Sequence, residues 1–268
     1  MIETKFEQLK KMLIGMKRVG VAYSGGIDST LVAKVAYDCL GDQAVALTAI
    51  SASLPAQEQA EAEAVLEEIG IRYVPIDTYE TNDPRYLANN VDRCYFCKSE
   101  VYDKLQRFAQ QEAYPYILDG TNADDVGDHR PGRKAARERG VRSPLQELGI
   151  TKAEIRALAQ QLGLPNWDKP AAACLSSRIP YGTSITLQML SQVERAELAL
   201  KQMGFRQLRV RHHDQVARIE VEPADFEAVV QQRQEIVEKF EHLGYAYTTL
   251  DLVGFRSGSM NEVVTHGH

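Results

Sequence analysis

The run from Val19 to Leu40 constrains the fold more than any other part of the chain. A short apolar segment, Val19-Gly20-Val21-Ala22, leads into Ser24-Gly25-Gly26-Ile27-Asp28-Ser29 and then a helix-like stretch from Thr30 to Leu40. Two glycines at a strand-to-helix turn let backbone N–H groups approach an anion with no Cβ in the way. Asp28, Ser29 and Thr30 are expected to cap the helix start, where the partial positive charge also favours phosphate. The lysine of a G-x-x-x-x-G-K-[ST] loop is missing, and so is a G-x-G-x-x-G dinucleotide fingerprint. Ser24, Gly25, Gly26, Asp28, Ser29 and Thr30 are therefore candidate phosphate-binding residues, and Asp28 is also a candidate for catalysis.

The same alternation continues through the first half. Strand-like segments at 44–50, 72–76 and 116–119 are separated by helical patterns at 55–69 and 97–111, with a polar loop over 81–92. This β-α-β-α rhythm predicts an α/β fold, a parallel sheet with helices on both faces. Thr151 with Glu154 three residues on reads as a capping box opening a helix that Gly163 ends. Pro165 to Gly182 has little periodicity. Beyond it helix, strand, strand, helix and strand follow at 186–203, 207–213, 216–221, 225–243 and 246–250, a small C-terminal α+β domain with an antiparallel hairpin. The expected division is 1–165, a functional linker over 166–185, and 186–268.

Asp119-Gly120-Thr121-Asn122-Ala123-Asp124-Asp125 ends the fourth strand, and ligands of open α/β sheets bind outside such carboxyl ends. Gly120 and Asp125 are candidates for holding nucleotide or Mg²⁺, a hard cation suited to carboxylates. Asn/Asp/Gly turns are common, so this motif gains its weight from the Ser24 loop. A basic run from Arg130 and Arg133 through Arg137, Arg139 and Arg142 adjoins it. Such runs are usually solvated faces, but Arg130 is a candidate for neutralising phosphates.

Composition decides several classes. No run of about 18 apolar residues exists, so no membrane partner is expected, and the N-terminus lacks a signal-peptide layout. A cytoplasmic protein is expected. The net charge of −6 argues against nucleic acid as the main partner. Four cysteines are too few for a disulfide scaffold, and Cys94-x-x-Cys97 reads as metal, cluster or redox chemistry. Cys39 lies on an apolar helix face and reads as a small hydrophobe. Cys174 lies in the linker, just before Ser176-Ser177-Arg178, where an approach to phosphate would set its thiol beside an activated substrate. Three cysteines without an obvious fourth ligand favour a [4Fe–4S] cluster with one open iron over thiol redox chemistry, and that over zinc with His129 or His212. By the period-2 rule Arg209, Arg211 and His213 share one strand face, and two adjacent arginines suit a mononucleotide phosphate. Lys98 and Arg256 are further phosphate candidates.

The Ser24–Ser29 string and the G-T-N-x-D-D string resemble those of the ATP pyrophosphatase, or PP-loop, superfamily. With Arg130-Pro131-Gly132, Ser176-Ser177-Arg178-Ile179-Pro180-Tyr181-Gly182, Arg209-Val210-Arg211, Ala217-Arg218-Ile219-Glu220 and Gly254-Phe255-Arg256-Ser257-Gly258 in order, the chain resembles the LarE family of sulfur transferases of nickel-pincer nucleotide biosynthesis. The resemblance implies that ATP and Mg²⁺ adenylate a carboxylate of a pyridinium dicarboxylate mononucleotide, and that protein-bound sulfur then displaces AMP. It implies Cys174 as sulfur carrier, with Cys94 and Cys97 as in a three-cysteine branch using a [4Fe–4S] cluster. It also assigns Glu197, Glu220 and Asp225 to a divalent metal, beside the phosphate reading of Ser177, Arg178, Arg209 and Arg211 drawn above from their own chemistry. Sulfide or a sulfur-donor protein is the implied second partner, and assembly with further copies of the chain is left open. The alternatives are a tRNA thiolase, which would need a basic RNA surface, and a nucleotide-binding redox sensor, which would release no pyrophosphate.

Overall fold

The computed structural model describes residues 2–127, 131–169 and 173–256. In chain order its elements are α1 (Ile2–Met16), β1 (Val19–Ala22), α2 (Ile27–Leu40), β2 (Ala44–Ile50), α3 (Ala56–Ile69), β3 (Arg72–Asp77), α4 (Pro84–Leu87), α5 (Arg93–Gln111), β4 (Tyr116–Leu118), α6 (Pro131–Glu138), α7 (Pro144–Glu147), α8 (Lys152–Gln161), α9 (Leu187–Gln202), β5 (Leu208–His213), β6 (Val216–Val221), α10 (Phe226–Gln231), α11 (Arg233–His242) and β7 (Tyr247–Leu250). None of the described helices is long and apolar enough to cross a membrane. The chain divides into two compact units, one of residues 1–83 and 92–172, the other of 84–91 and 173–268.

In the first unit four parallel strands run in the order β3-β2-β1-β4. Alternate residues of β2 serve opposite faces, as a pleated strand requires. Ala44 and Ala46 join the core made with α1, α2, α3 and α8, whereas Val45 and Leu47 join the core under α5 and α6. The expected α/β sheet covered on both faces is therefore what forms. Gly20 sits where a Cβ would lie 2.9 Å from Ile117 Cδ1 and 3.0 Å from Leu47 Cδ1, so the second core closes over it. β2 and β4 flank β1, so the strand order reverses there and opens a crevice at the carboxyl ends of β1 and β4.

Helix α8 carries the expected capping box. Thr151 Oγ1 accepts from the Glu154 amide at 3.3 Å, and the Glu154 carboxylate accepts from the Thr151 amide at 2.8 Å. The Lys5 ammonium, 2.8 Å away, and the Thr151 amide hold the Glu154 carboxyl below its ordinary range. A lowered folded pKa gives stability that is complete above the unfolded value and fades as pH falls through the folded one. Thr151→Ala is expected to cost about 1 kcal/mol in urea unfolding at pH 7, and less at a pH low enough to protonate Glu154.

In the second unit β5 and β6 form the expected antiparallel hairpin, and β7 adds parallel to β6. Leu208, Val210, Ala217, Ile219 and Val221 point into a core with α9, α10 and α11. The single helix expected over 225–243 is two, α10 and α11, meeting at Gln232. Residues 81–92, expected as a loop, contain α4, and 84–91 fold with the second unit. Asn89 explains this: fully buried at φ 54°, its amide nitrogen donates to the carbonyls of Ile179, Pro180 and Thr183 at 3.3, 2.8 and 3.0 Å. Asparagine tolerates this left-handed backbone better than most residues. The expected linker is likewise divided, since 166–169 pack in the first unit and 173–185 in the second.

Candidate active site

The loop after β1 differs from expectation in how its helix begins. Helix α2 starts at Ile27 with Gly26 as N-cap, and no side chain caps it. Asp28, Ser29 and Thr30 thus lie inside the first turn and are not caps. Ser29 Oγ and Thr30 Oγ1 both donate back to the Gly26 carbonyl, at 2.9 and 3.0 Å. Ser24 is drawn to the same place, with its amide and hydroxyl each 3.2 Å from Ser29 Oγ. Gly25 takes φ 74°, and a Cβ there would stand 3.0 Å from Ala62 Cβ of α3. An uncapped helix N-terminus under a glycine pair, at the carboxyl edge of a parallel sheet, carries partial positive charge that favours an anion.

The loop after β4 closes on it. At Gly120 a Cβ would be 2.6 Å from the Ser29 amide nitrogen and 2.9 Å from the Asp28 carbonyl carbon. Asp125 and Asp124 then organise a 3-10 turn, Ala123–Gly127: Asp125 Oδ2 accepts from the Asn122 amide at 3.1 Å, and Asn122 Oδ1 from the Asp124 amide at 2.9 Å. Lys152, at the start of α8, connects the two loops. Its amide donates to Asp124 Oδ2 at 2.7 Å, and its ammonium lies 2.8 Å from both carboxylate oxygens of Asp28. The sequence reading missed this lysine, because a cation 124 residues from its partner belongs to no local motif. Asn166, 7% exposed, donates to Thr30 Oγ1 at 2.9 Å and to the Gly25 carbonyl at 3.3 Å, while its own Oδ1 has no partner. It too went unread.

The cysteine pair lies in the same unit, on the first turns of α5, with both side chains half-buried. Lys98, one turn on from Cys94, is packed by Gly132, where a Cβ would meet Lys98 Cγ at 2.9 Å. The Lys98 ammonium is held above the ordinary lysine range by Tyr102 first, with Cys97, Asp119 and Cys94 adding and burial opposing. Burial and a hydrogen bond to Asp119 help push the Tyr102 hydroxyl up to about 12. Asp119 also accepts from the Thr121 amide at 3.1 Å and from Thr121 Oγ1 at 2.9 Å. Cys94, Cys97 and Lys98 therefore share one polar cluster with Asp119, the residue before Gly120. Cys39 packs against the main core with its thiol pushed up by burial, as a small hydrophobe would.

In the second unit Cys174 precedes a 3-10 turn, Leu175–Arg178. Its thiol is half-buried, whereas Leu175 and Ser176 beneath it are closed from solvent and Ser176 Oγ is bonded to the Tyr86 hydroxyl. Arg178 and Arg211, expected to bind phosphate, are 2% and 5% exposed and each faces a glutamate with one edge. Arg178 Nε and Nη2 reach the two oxygens of Glu197 at 2.8 and 2.9 Å, and Arg211 Nε and Nη2 those of Glu220 at 3.0 and 2.9 Å. Glu197 and Glu220, expected with Asp225 to hold a divalent ion, are thus each paired with a guanidinium. Both oxygens of each glutamate are taken by a guanidinium, and Asp225 lies half-buried in a separate 3-10 turn, Pro223–Asp225. Among the described residues no group of three or more His, Cys, Asp or Glu is arranged to hold a metal ion. His212 is buried against Tyr245, with ring Nδ1 3.2 Å from the hydroxyl. Arg209 is half-buried with its guanidinium carbon 5.1 Å from the Phe255 ring centre, and Arg256 lies 3.6 Å from Asp251. Arg130 and His129 lie outside the described residues.

A parallel sheet with this uncapped glycine loop at its strand-order reversal defines a PP-loop nucleotide-binding protein, and the NAD synthase family profile matches residues 3–89. The chain is 51% identical over 267 residues to an uncharacterized protein of Synechocystis, covering 99% of this chain and 100% of that one. It is 41% identical over 265 residues to the pyridinium-3,5-bisthiocarboxylic acid mononucleotide synthase of Lactiplantibacillus plantarum, covering 98% of this chain and 96% of that enzyme. A glutamine-hydrolysing GMP synthase of Aliarcobacter butzleri is 24% identical over 215 residues, 72% of this chain and 40% of that protein. The chain belongs to the LarE family, that of the Lactiplantibacillus synthase, and is an ATP-dependent sulfur-transferring enzyme.

Proposed function

We propose that this enzyme converts a carboxylate of a pyridinium-3,5-dicarboxylate mononucleotide to a thiocarboxylate. The observation that carries the reading is the uncapped N-terminus of α2, with Gly120 pressed against it; the name of the Lactiplantibacillus relative supplies the substrate. A substrate carboxylate oxygen attacks the α-phosphorus of ATP, the bond to the β-phosphate breaks, and pyrophosphate leaves. Sulfide delivered at Cys174 then attacks the acyl carbon, AMP departs with the C–O electron pair, and loss of the S–H proton leaves a thiocarboxylate. Were the Cys174 sulfur itself the nucleophile, a thioester would form and elimination would break its Cβ–Sγ bond, releasing the thiocarboxylate and leaving dehydroalanine.

In this reading the backbone of Ser24, Gly25, Gly26 and Ser29 receives the leaving pyrophosphate, with Thr30 and Gly120 shaping the cradle. Asp28 and Asp125 would face the Mg²⁺ that accompanies ATP. Lys98 would meet an anionic group of the substrate, and Arg209 and Arg256 its phosphate. Ser177 supports the Cys174 turn, its hydroxyl donating to the Cys174 carbonyl at 2.7 Å. Cys94 and Cys97, one helical turn apart and half-buried, have the donor chemistry and spacing for two thiolates on one cluster. With Cys174 as the third ligand they would hold a [4Fe–4S] cluster, which when bound supplies an open iron able to carry sulfide. The two cysteines of the first unit make this the favoured reading over thiol-only chemistry.

The test is turnover of protein purified without oxygen, given ATP, Mg²⁺, the pyridinium mononucleotide and sulfide. AMP, pyrophosphate and thiocarboxylate should appear together, with about four irons per chain. Pyrophosphate without thiocarboxylate would sink the sulfur-transfer reading for this substrate, and iron-free active protein would remove the cluster. Lys152 supplies a separate prediction. Its ammonium lies beside Asp28, so Lys152→Ala is expected to weaken ATP binding about tenfold, or about 1.4 kcal/mol, by titration calorimetry.

A further inference from the structure

We infer that Arg178 and Glu197 are positioning residues for the Cys174 sulfur. This rests on Cys174 being the sulfur carrier proposed above. The backbone at Cys174 is held with unusual density. Its carbonyl accepts from the Ser177 amide at 3.0 Å, Ser177 Oγ at 2.7 Å and Arg178 Nη1 at 2.9 Å. The same nitrogen of Arg178 donates to the Ala173 carbonyl at 2.7 Å and to Ser177 Oγ at 3.1 Å. The opposite edge of the guanidinium is locked on Glu197, whose Oε1 also accepts from the Val210 amide of β5 at 3.0 Å.

The turn is thereby tied to α9 and to the sheet through one planar group. Arg211 repeats the pattern: one edge on Glu220, and Nη1 donating to the Ser177 carbonyl at 2.8 Å. Removing either partner of such a pair would strand a buried charge, so the pairs persist and the carbonyls they hold stay in place. Charge-assisted bonds from a rigid fork fix direction as well as distance. Cys174 is half-buried as a residue, a reactive side chain on a fixed backbone, the condition under which orientation contributes most to rate. A phosphate at Arg178 would instead have to displace Glu197 from a site 2% exposed.

The experiment compares full-length wild type with Arg178→Lys, Glu197→Gln and Ser177→Ala. Three quantities are measured: iodoacetamide alkylation at Cys174 by peptide mass spectrometry, thiocarboxylate formed per AMP, and KM for ATP and for the pyridinium mononucleotide. Arg178→Lys and Glu197→Gln should speed alkylation and lower the thiocarboxylate-to-AMP ratio, each about fivefold or more, with both KM values within about twofold. General loss of folded protein would scale thiocarboxylate and AMP together and leave their ratio unchanged. A KM for the mononucleotide raised about tenfold at an unchanged ratio would overturn the inference in favour of phosphate binding. Unchanged alkylation and ratio would overturn it outright. Should the two charge variants not fold, Ser177→Ala removes one of the three carbonyl bonds and should about double the alkylation rate; no change there overturns the clamp. If wild type forms no thiocarboxylate, the functional reading fails on its own, while the alkylation rates still decide the clamp.

Discussion

Cys174→Ser is expected to abolish sulfur transfer while leaving ATP-dependent release of pyrophosphate in place. The substitution changes one atom. The backbone bonds that hold the turn run to the Cys174 carbonyl and not to the side chain, so the turn should stand unchanged. A serine hydroxyl carries no sulfur and is a poor cluster ligand, so thiocarboxylate formation should fall by at least about 10³-fold. The loops after β1 and β4, proposed above to serve adenylation, lie in the other unit. Pyrophosphate release should therefore persist for a first turnover, measured by coupled phosphate assay beside thiocarboxylate by mass spectrometry. Sulfur transfer surviving in the variant would remove Cys174 as carrier. Intact mass of the wild type after turnover separates two chemistries. A loss of about 34 Da, that of H₂S, at Cys174 marks a consumed thiol, whereas an unchanged mass fits sulfur supplied from outside the side chain.

Gly120→Ala is expected to be the most damaging single-methyl change in the first unit. The added Cβ would stand 2.6 Å from the Ser29 amide nitrogen, 2.9 Å from the Asp28 carbonyl carbon and 3.0 Å from Asp28 Cβ. Two of these atoms are backbone and cannot swing aside, so the β4 loop or the start of α2 must move. Overpacking of this kind costs about 1–3 kcal/mol, and here the displaced atoms are the proposed pyrophosphate cradle. The melting temperature should fall by several degrees, and calorimetric ATP affinity should fall with it. Gly15→Ala serves as the control, since nothing lies within 4 Å of its Cβ position in α1 and alanine favours a helix. If Gly120→Ala matches that control in both stability and ATP affinity, the two loops do not touch as described.

Much of the first unit could be read directly from local pattern. The glycine pair, the apolar runs at 19–22 and 44–50, and the Thr151–Glu154 box each carry their meaning within a few residues. The start of α2 shows the limit of that reading. Ser29 and Thr30 are good capping residues, yet their hydroxyls turn back to Gly26, and the helix begins under the glycine. Residues 84–91 mark a second limit. Their polar, Asn-rich composition reads as loop, and only Asn89 meeting the carbonyls of Ile179, Pro180 and Thr183 shows which unit they join.

Strand order along the chain, the sheet's parallel sense and the glycine loop are determined by the sequence alone, because side-chain periodicity and glycine placement act over one or two turns of chain. Which charges are available for ligands is decided by the tertiary structure. Arg178, Arg211, Glu197 and Glu220 look alike in sequence to phosphate and metal ligands. Folding buries them as two ion pairs, one between partners 19 residues apart and one diagonal across the β5–β6 hairpin. Lys152 reaches Asp28 from 124 residues away. A buried charge must be paired, and which partner it meets depends on the packing of whole elements.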